Sequence, residues 1–250
     1  MPDKAGNQYD RPFVREGADS KSLFFALSET QSKMDLENPD ALRLEYTRTM
    51  MGFLLFAPAP TDIAMIGLGG GSLAKFCHRY LPDARITVVE INPHVLALRD
   101  TFRVPADGPR FEVIQGDGAN FVRDPPRLFD VLLADGYEKK GLPVQLSSQS
   151  FYDDTVNLLK PGGILVVNLH ADHRHYARHI ERIKRSYDGA ALVVVDPVEG
   201  NTIVFAKSRC ASPWLRLRTP RRPPTLDEPA WQSLQGAISR ILAAAKAHGA

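Results

Sequence analysis

The feature that most constrains the fold is a short apolar segment that ends in a run of glycines. Ile63–Ile66 has the apolar character of a buried strand, and the chain continues as Gly67–Ser72, with the sequence GLGGGS. Glycines let the backbone turn sharply and let a ligand approach main-chain amides. The positive end of a following helix, predicted over Ser72–Tyr80, adds to such a site. This segment predicts a strand, a tight turn and a helix, with a ligand held at the turn.

Apolar runs and amphipathic segments alternate from Ile63 onward, which is typical of a parallel sheet with crossover helices. We predict strands at Ile63–Ile66, Arg85–Glu90, Phe111–Ile114, Val131–Ala134, Ile164–Asn168, Leu192–Val195 and Thr202–Ala206. We predict helices at Ser72–Tyr80, Pro93–Phe102, Ser148–Leu159 and His173–Tyr187. The predicted fold class is α/β, a seven-stranded, mostly parallel sheet with helices on both faces.

Two appendages flank this predicted sheet. Pro12–Asp35 alternates polar and apolar residues, which predicts a small N-terminal β-hairpin before a helix at Ala41–Phe56. Lys207–Pro224 is basic and rich in proline, which predicts an extended strap before a helix at Glu228–Ala245. We therefore divide the chain into an N-terminal hairpin (residues 1–40), a ligand-binding catalytic domain (41–208) and the strap with its helix (209–250).

The composition excludes several classes of protein. A net charge of +2 provides no global field for nucleic acid or anionic lipid. Cys77 and Cys210 are too few for a disulfide framework, which fits a reducing compartment. The longest apolar run, Met50–Ala57, is far shorter than the ~20 residues of a membrane span, and Met1–Asp10 has no signal-peptide core. We expect a soluble, cytoplasmic protein.

Acidic residues stand at the ends of successive predicted strands. Glu90 can accept hydrogen bonds from two ribose hydroxyls, which fits NAD as well as S-adenosylmethionine. Asp117 can accept an adenine amino group, although it can also cap the helix that follows. Asp135 ends a third strand, and ligands of parallel sheets bind outside these ends. Ser72 stands where a dinucleotide fingerprint needs glycine, so we favour a single adenosine site.

The order of these motifs resembles the spermidine synthase (polyamine aminopropyltransferase) family, within the class I S-adenosylmethionine-dependent methyltransferase superfamily. The resemblance covers about Gln31 to Asn168. Its motifs are Gln31, Glu90, Gly116–Gly118, Asp135, Phe151–Tyr152 and Gly162–Gly163. It implies a Rossmann-like methyltransferase fold preceded by a shortened β-domain.

The resemblance also implies a chemistry. The co-substrate would be S-adenosylmethionine or its decarboxylated form, without a metal, and the acceptor a small amine. Asp135 would be the catalytic residue. Donor-binding residues would be Gln31, Gly67, Gly69, Gly71, Glu90, Asp117 and Gly118, and acceptor-binding residues Tyr137, Glu138 and Tyr152. Tyr152 is equally compatible with a core position, and the protein is expected to form a homodimer without membrane association.

The chain departs from the family pattern at two places. Family members usually carry an aspartate for the donor's amine where this chain has Gly70, and Asp-Ser-Ser-Asp-Pro where it reads Asp135–Lys139 (DGYEK). These changes favour altered donor choice, so methyl transfer to a non-polyamine acceptor is an alternative. A non-catalytic adenosine-binding protein is a second one. Because an ordinary carboxylate is a weak base for an amine, we predict that Asp135 is partly buried.

Two further patterns are interpreted as solvent-exposed surface rather than as binding sites. His175 and His179 have spacing that can hold a metal, but no cysteine or acid completes a site, so we predict a solvated helix face. The arginines of the basic strap can contact RNA, yet such runs are usually solvated, so we do not expect a nucleic-acid partner.

Overall fold

A computed structural model describes residues 9–26, 29–136, 143–171, 175–196, 200–209 and 220–248. The strands are β1 (Phe13–Glu16), β2 (Ser20–Ala26), β3 (Glu29–Asp35), β4 (Asp62–Ile66), β5 (Arg85–Glu90), β6 (Phe111–Gln115), β7 (Phe129–Ala134), β8 (Leu159–His170), β9 (Ala191–Val195) and β10 (Asn201–Lys207). The helices are α1 (Glu45–Met50), α2 (Ser72–Tyr80), α3 (Pro93–Leu96), α4 (Gly118–Arg123), α5 (Gln149–Leu158), α6 (Tyr176–Ser186) and α7 (Glu228–Ala247). Short 3₁₀ turns cover Met51–Leu55 and Val144–Ser147.

The strands form two sheets. The large sheet has the order β6-β5-β4-β7-β8-β10-β9; its strands from β4 to β8 are parallel, and β10 runs antiparallel to β8 and β9. This confirms the predicted seven-stranded, mostly parallel α/β fold. The N-terminal segment forms a three-stranded antiparallel sheet, β1-β2-β3, which is one strand more than the predicted hairpin.

The central strands are apolar throughout because both faces of the sheet are covered. In β4, Ile63 and Met65 pack into the core on one face, and Ala64 and Ile66 into the core on the other. Successive side chains of a strand point to opposite faces, so a strand covered on both sides needs apolar residues at every position. This is why the apolar runs of the sequence located the central strands, although β8 begins at Leu159, before the predicted start at Ile164.

Helix ends were predicted less well. The segment predicted as one helix at Ala41–Phe56 is α1 followed by a 3₁₀ turn, and the segment predicted at Pro93–Phe102 is helical only to Leu96. Both segments still pack apolar side chains on the sheet, so their spacing indicated burial correctly but not continuous helix. Residues 172–174, where a helix was predicted to begin, and residues 210–219 of the basic strap lie outside the described residues.

The C-terminal helix α7 packs against α1 and the 3₁₀ turn that follows it. A Cβ atom on Gly52 would lie 2.1 Å from Ile241 Cδ1, so glycine is needed for this close approach. Arg240 Nη2 also donates to Glu45 Oε1, and to Thr49 Oγ1 at 3.1 Å. These contacts hold α1 against the sheet. No helix in the described ranges is long and apolar enough to cross a membrane.

Charged side chains join three strands at the edge of the sheet opposite the glycine turn. Lys160 Nζ lies 3.0 Å from Asp62 Oδ2 and 2.9 Å from Asp130 Oδ2, and Arg127 Nε donates to Asp62 Oδ1 at 3.1 Å. Burial by itself would raise the pKa of Asp62, but the Lys160 and Thr61 hydrogen bonds and nearby positive charges outweigh it and lower that pKa. The ionised carboxylate therefore stabilises the folded chain.

We predict that Asp62→Asn lowers the free energy of unfolding at pH 7 by about 1–2 kcal/mol, because Lys160 and Arg127 lose their shared counter-charge. The stabilisation from a lowered pKa is present above the unfolded value of about 4 and is lost as pH falls through the folded value. Urea denaturation should thus show a smaller difference at pH 3 than at pH 7. Asp83→Asn, at an exposed position, is the control. Equal stability of both variants at pH 7 would contradict the prediction.

Candidate active site

The turn after β4 has the shape that the glycine run predicted. Gly67, Gly69 and Gly71 all have positive φ angles, of 90°, 53° and 70°. A Cβ atom on Gly67 would lie 2.4 Å from the carbonyl oxygen of Asp135. Glycine is therefore required there both for the backbone angle and for the close approach of the end of β7.

Glu90 ties this turn to the end of β5. Its Oε2 accepts a hydrogen bond from the Leu68 amide and its Oε1 accepts one from the Asn92 amide, each at 2.8 Å. Burial raises the pKa of Glu90, although these backbone hydrogen bonds act in the opposite direction. The side chain is 8% exposed and lines a cavity beside the turn. A carboxylate held so firmly can accept further hydrogen bonds from a ligand without losing its position.

Asp117 caps helix α4. Its Oδ1 accepts a hydrogen bond from the Ala119 amide at 2.7 Å, which confirms the structural role that the sequence left open. The same residue lines the cavity. Capping uses one carboxylate oxygen, so it is compatible with ligand binding through the other.

Asp135 lies where β7 leaves the sheet. It is half-buried, as predicted, and its Oδ1 accepts a hydrogen bond from Asn168 Nδ2 at 2.9 Å. Burial raises the pKa of Asp135 to about 6, even though hydrogen bonds from Asn168 and the Tyr46 hydroxyl lower it. A carboxyl group of this kind changes its charge much nearer to neutral pH than an ordinary aspartate does.

These side chains meet in one cavity of about 1040 Å³ at the carboxyl ends of the parallel strands. Of the predicted site residues, the cavity is lined by Gln31, Gly67, Gly69, Glu90, Asp117, Gly118 and Asp135. Gly71 is not among the lining residues of the cavity. A Cβ atom there would lie 2.6 Å from Val104, so this glycine allows the turn to pack against Val104. Residues 137 and 138, where Tyr137 and Glu138 were predicted to bind the acceptor, lie outside the described residues.

Tyr152 is not brought to the cavity. Its side chain is fully buried in the core formed with α5 and α6, and the described residues provide no hydrogen-bond partner for its hydroxyl. The prediction that Tyr152 contacts the acceptor is therefore not supported, and the alternative of a core position is the one observed. The reason is helical geometry, because Phe151 and Tyr152 both lie on the inner face of α5.

Three polar residues of the cavity that connect to Asp135 through hydrogen bonds were missed from the sequence. Tyr46, Asn168 and Asn201 all line the cavity. Asn201 Nδ2 donates to Asn168 Oδ1 at 2.9 Å, and Asn168 in turn donates to Asp135. The sequence did contain a signal for Asn168, since asparagine is depleted in strands and this residue interrupts an otherwise apolar run.

No group of three metal-ligating side chains is found within the described part of the chain.

The fold and the cavity define a class of protein: a Rossmann-like α/β domain with a large cavity at the carboxyl ends of its parallel strands, as in class I methyltransferases. The chain is similar to a probable spermidine synthase from Corynebacterium glutamicum, with a TM-score of 0.66 at 21% identity over 78% of this chain and 76% of that one. Residues 43–206 match the family model described as the spermine/spermidine synthase domain. The chain belongs to this family.

Curated relatives agree with this assignment. A polyamine aminopropyltransferase of Neisseria meningitidis serogroup A is 39% identical over 77% of this chain and 74% of its own length. One from Chromobacterium violaceum is 36% identical over 82% and 80%. A protein of Drosophila melanogaster named eEF1A lysine and N-terminal methyltransferase homolog is 36% identical over 43% of this chain, but over only 17% of its own length.

We predict that Glu90→Gln weakens binding of 5′-methylthioadenosine, used as a nucleoside probe, by about 10- to 100-fold. The amide replaces a hydrogen-bond acceptor with a donor in a buried site, which leaves a polar group unmatched. Isothermal titration calorimetry measures the dissociation constant, and thermal melting confirms that the variant is folded. Glu112→Gln, whose side chain contacts Thr87 away from the cavity, is the control and should bind like the parent protein. Unchanged affinity of Glu90→Gln would remove Glu90 from the binding site.

Proposed function

We propose that this protein transfers an alkyl group from a sulfonium donor of the S-adenosylmethionine type to an amine, and that the group is aminopropyl and the acceptor a polyamine. The observation that carries the proposal is the meeting of Glu90, Asp117 and Asp135 in one cavity. Glu90 and Asp117 can accept hydrogen bonds from a nucleoside, and Asp135 can bind an amine. Homologues named polyamine aminopropyltransferases support the same activity.

The residues present fit such a donor. Glu90 would accept hydrogen bonds from the ribose, Asp117 from the adenine, and the Gly67–Gly69 backbone leaves room for the nucleoside beside the turn. Gln31, on β3, lines the cavity and would lie near the donor's tail. The small N-terminal sheet would therefore form part of the donor site.

In this reaction the protein mainly has to align the amine with the donor carbon and to remove a proton from the amine. The sulfonium supplies an activated carbon and a thioether leaving group. The lone pair of the amine nitrogen forms the new C–N bond as the C–S bond breaks toward sulfur, and the amine loses one proton. Asp135 would accept that proton or hold the amine in its free-base form. A positioned base contributes about 10²–10⁴-fold, and alignment several kcal/mol more.

A specific observation favours methyl transfer as a second candidate. A Cβ atom on Gly70 would lie 2.6 Å from Ser32 Oγ and 2.9 Å from the Phe102 ring, so an acidic side chain has no room there. Ser32 Oγ and Ser72 Oγ lie 3.2 Å apart beside it. Hydroxyl groups can donate to the carboxylate of ordinary S-adenosylmethionine, whereas an aspartate would repel it. The partial match to a protein methyltransferase homolog supports this candidate.

We expect purified protein, incubated with 1,4-diaminobutane and decarboxylated S-adenosylmethionine, to release methylthioadenosine. Ordinary S-adenosylmethionine is the second arm, and propylamine and a lysine-containing peptide are further acceptors. Chromatography of the nucleoside product identifies the transferred group, because methylthioadenosine indicates aminopropyl transfer and adenosylhomocysteine indicates methyl transfer. Release of adenosylhomocysteine alone would replace the proposal with methyl transfer. Binding of both donors without either product would leave the non-catalytic adenosine-binding alternative.

We predict that Asp135→Asn lowers turnover by about 10²- to 10⁴-fold while the donor dissociation constant changes less than about threefold. Because burial raises the pKa of Asp135 to about 6, the ionised group costs stability above its unfolded pKa of about 4. The neutral amide should therefore raise the free energy of unfolding at pH 7. Urea denaturation and steady-state kinetics check both effects, with Asp83→Asn as the control. Full turnover in Asp135→Asn would exclude a role as the base.

We also propose a cytoplasmic location and a homodimer. The scarcity of cysteine supports the cytoplasmic location. Light scattering on the purified protein gives the mass directly, and a mass near 27.7 kDa would contradict the dimer.

A further inference from the structure

Two buried asparagines form a chain of hydrogen bonds that ends at Asp135. Asn201 begins β10, and Asn168 lies near the end of the antiparallel neighbour β8. Asn201 Nδ2 donates to Asn168 Oδ1 at 2.9 Å, and Asn168 Nδ2 donates to Asp135 Oδ1 at 2.9 Å. Their exposed fractions are 4% and 2%. Both residues are thus almost fully buried, although both line the cavity.

The first of these hydrogen bonds sets the direction of the second. A side-chain amide has an acceptor end and a donor end, so the group bound at one end decides which end faces the other partner. The Asn201 amide presents N–H to the Asn168 oxygen, which turns the Asn168 NH₂ group toward Asp135. The opposite orientation would place a carbonyl oxygen against the carboxylate, and it would be tolerated only when Asp135 is protonated.

We propose that Asn201 is a positioning residue, which orients Asn168 so that its amide donates to Asp135 and keeps this carboxylate ionised. The role rests on the proposed function of Asp135 as the base, but the orientation itself does not. Asn201 acts through Asn168 and exerts its effect on the proton affinity of Asp135. A substitution at Asn201 should therefore change the pH dependence of the reaction more than the affinity for either substrate.

Other titratable groups also face this part of the cavity and stay unchanged in the test. The Tyr46 hydroxyl approaches Asp135 from α1. Among the described residues, the remaining titratable groups that line the cavity are Tyr9 and Asp10 before β1, Glu90 at the end of β5, Asp117 before α4 and His170 at the end of β8. Because every variant retains these groups, a shift that appears on substitution of Asn201 reports the amide chain.

The test is to measure the titration of Asp135 directly in the full chain. Carbon-13 NMR of aspartate-labelled protein follows the side-chain carboxyl signal from pH 4 to 8, and the signal lost in Asp135→Asn assigns it. Asn201→Leu keeps the same branched shape without a donor, and we expect it to raise the pKa of Asp135 by about 0.5 to 1 unit, a three- to tenfold change in proton affinity. Asn201→Ala is measured beside it and should shift the pKa in the same direction.

Kinetics provide the second readout. In Asn201→Leu the acid limb of the kcat/KM profile should move to higher pH by the same amount, while KM for the donor changes less than about twofold at pH 8. Asn201→Gln, which restores a donor, should recover at least part of the shift, and Asn157→Leu, at an exposed position on α5, should cause none. An unchanged pKa in both Asn201→Leu and Asn201→Ala overturns the inference. Unimpaired turnover of Asp135→Asn would instead exclude Asp135 as the base and leave the NMR result standing, whereas failure of the parent protein to release either nucleoside product would overturn the proposed function.

Discussion

The parallel register of the central strands is the constraint on which the site depends. Ile66 at the end of β4 pairs with Val89 on one side and with Ala134 on the other, so three strands stop at the same level. The backbone continues this alignment beyond the strands, because the Gly67 amide donates to Val89 and the Asp135 amide donates to Ile66, each at 2.9 Å. The glycine turn, Glu90 and Asp135 are therefore neighbours for reasons of sheet geometry alone.

Glu90 and Asp135 lie in different environments, which suit them to different tasks. Glu90 is held by two backbone amides and acts as a rigid acceptor. Asp135 has side-chain donors instead, and burial raises its pKa toward neutrality. Because the proton affinity of Asp135 depends on side-chain donors, residues that orient those donors can change it, and this is the basis of the role inferred for Asn201.

Elements outside the large sheet complete the cavity. The N-terminal sheet contributes Gln31 and Ser32, and α1 contributes Tyr46, whose hydroxyl lies between the Gln31 carbonyl oxygen, at 3.3 Å, and Asp135, so that its single proton can be donated to either. Helix α7 does not line the cavity, yet its contacts through Arg240 and Ile241 fix the position of α1. The division of the chain at residues 40 and 208 stays a prediction, although the matched family domain, 43–206, lies within it.

What the sequence by itself determined was the sheet and the carboxylates at its edge. Continuous apolar runs and glycine turns are local properties of the sequence, and in a parallel sheet they are enough to place Gly67, Glu90, Asp117 and Asp135 together. The tertiary structure alone decided that Tyr46, Asn168 and Asn201 join them and that Tyr152 does not. Those outcomes depend on which face of a helix or strand packs against a distant segment, and on the hydrogen bonds formed there, so they are determined by contacts between parts of the chain that lie far apart in sequence.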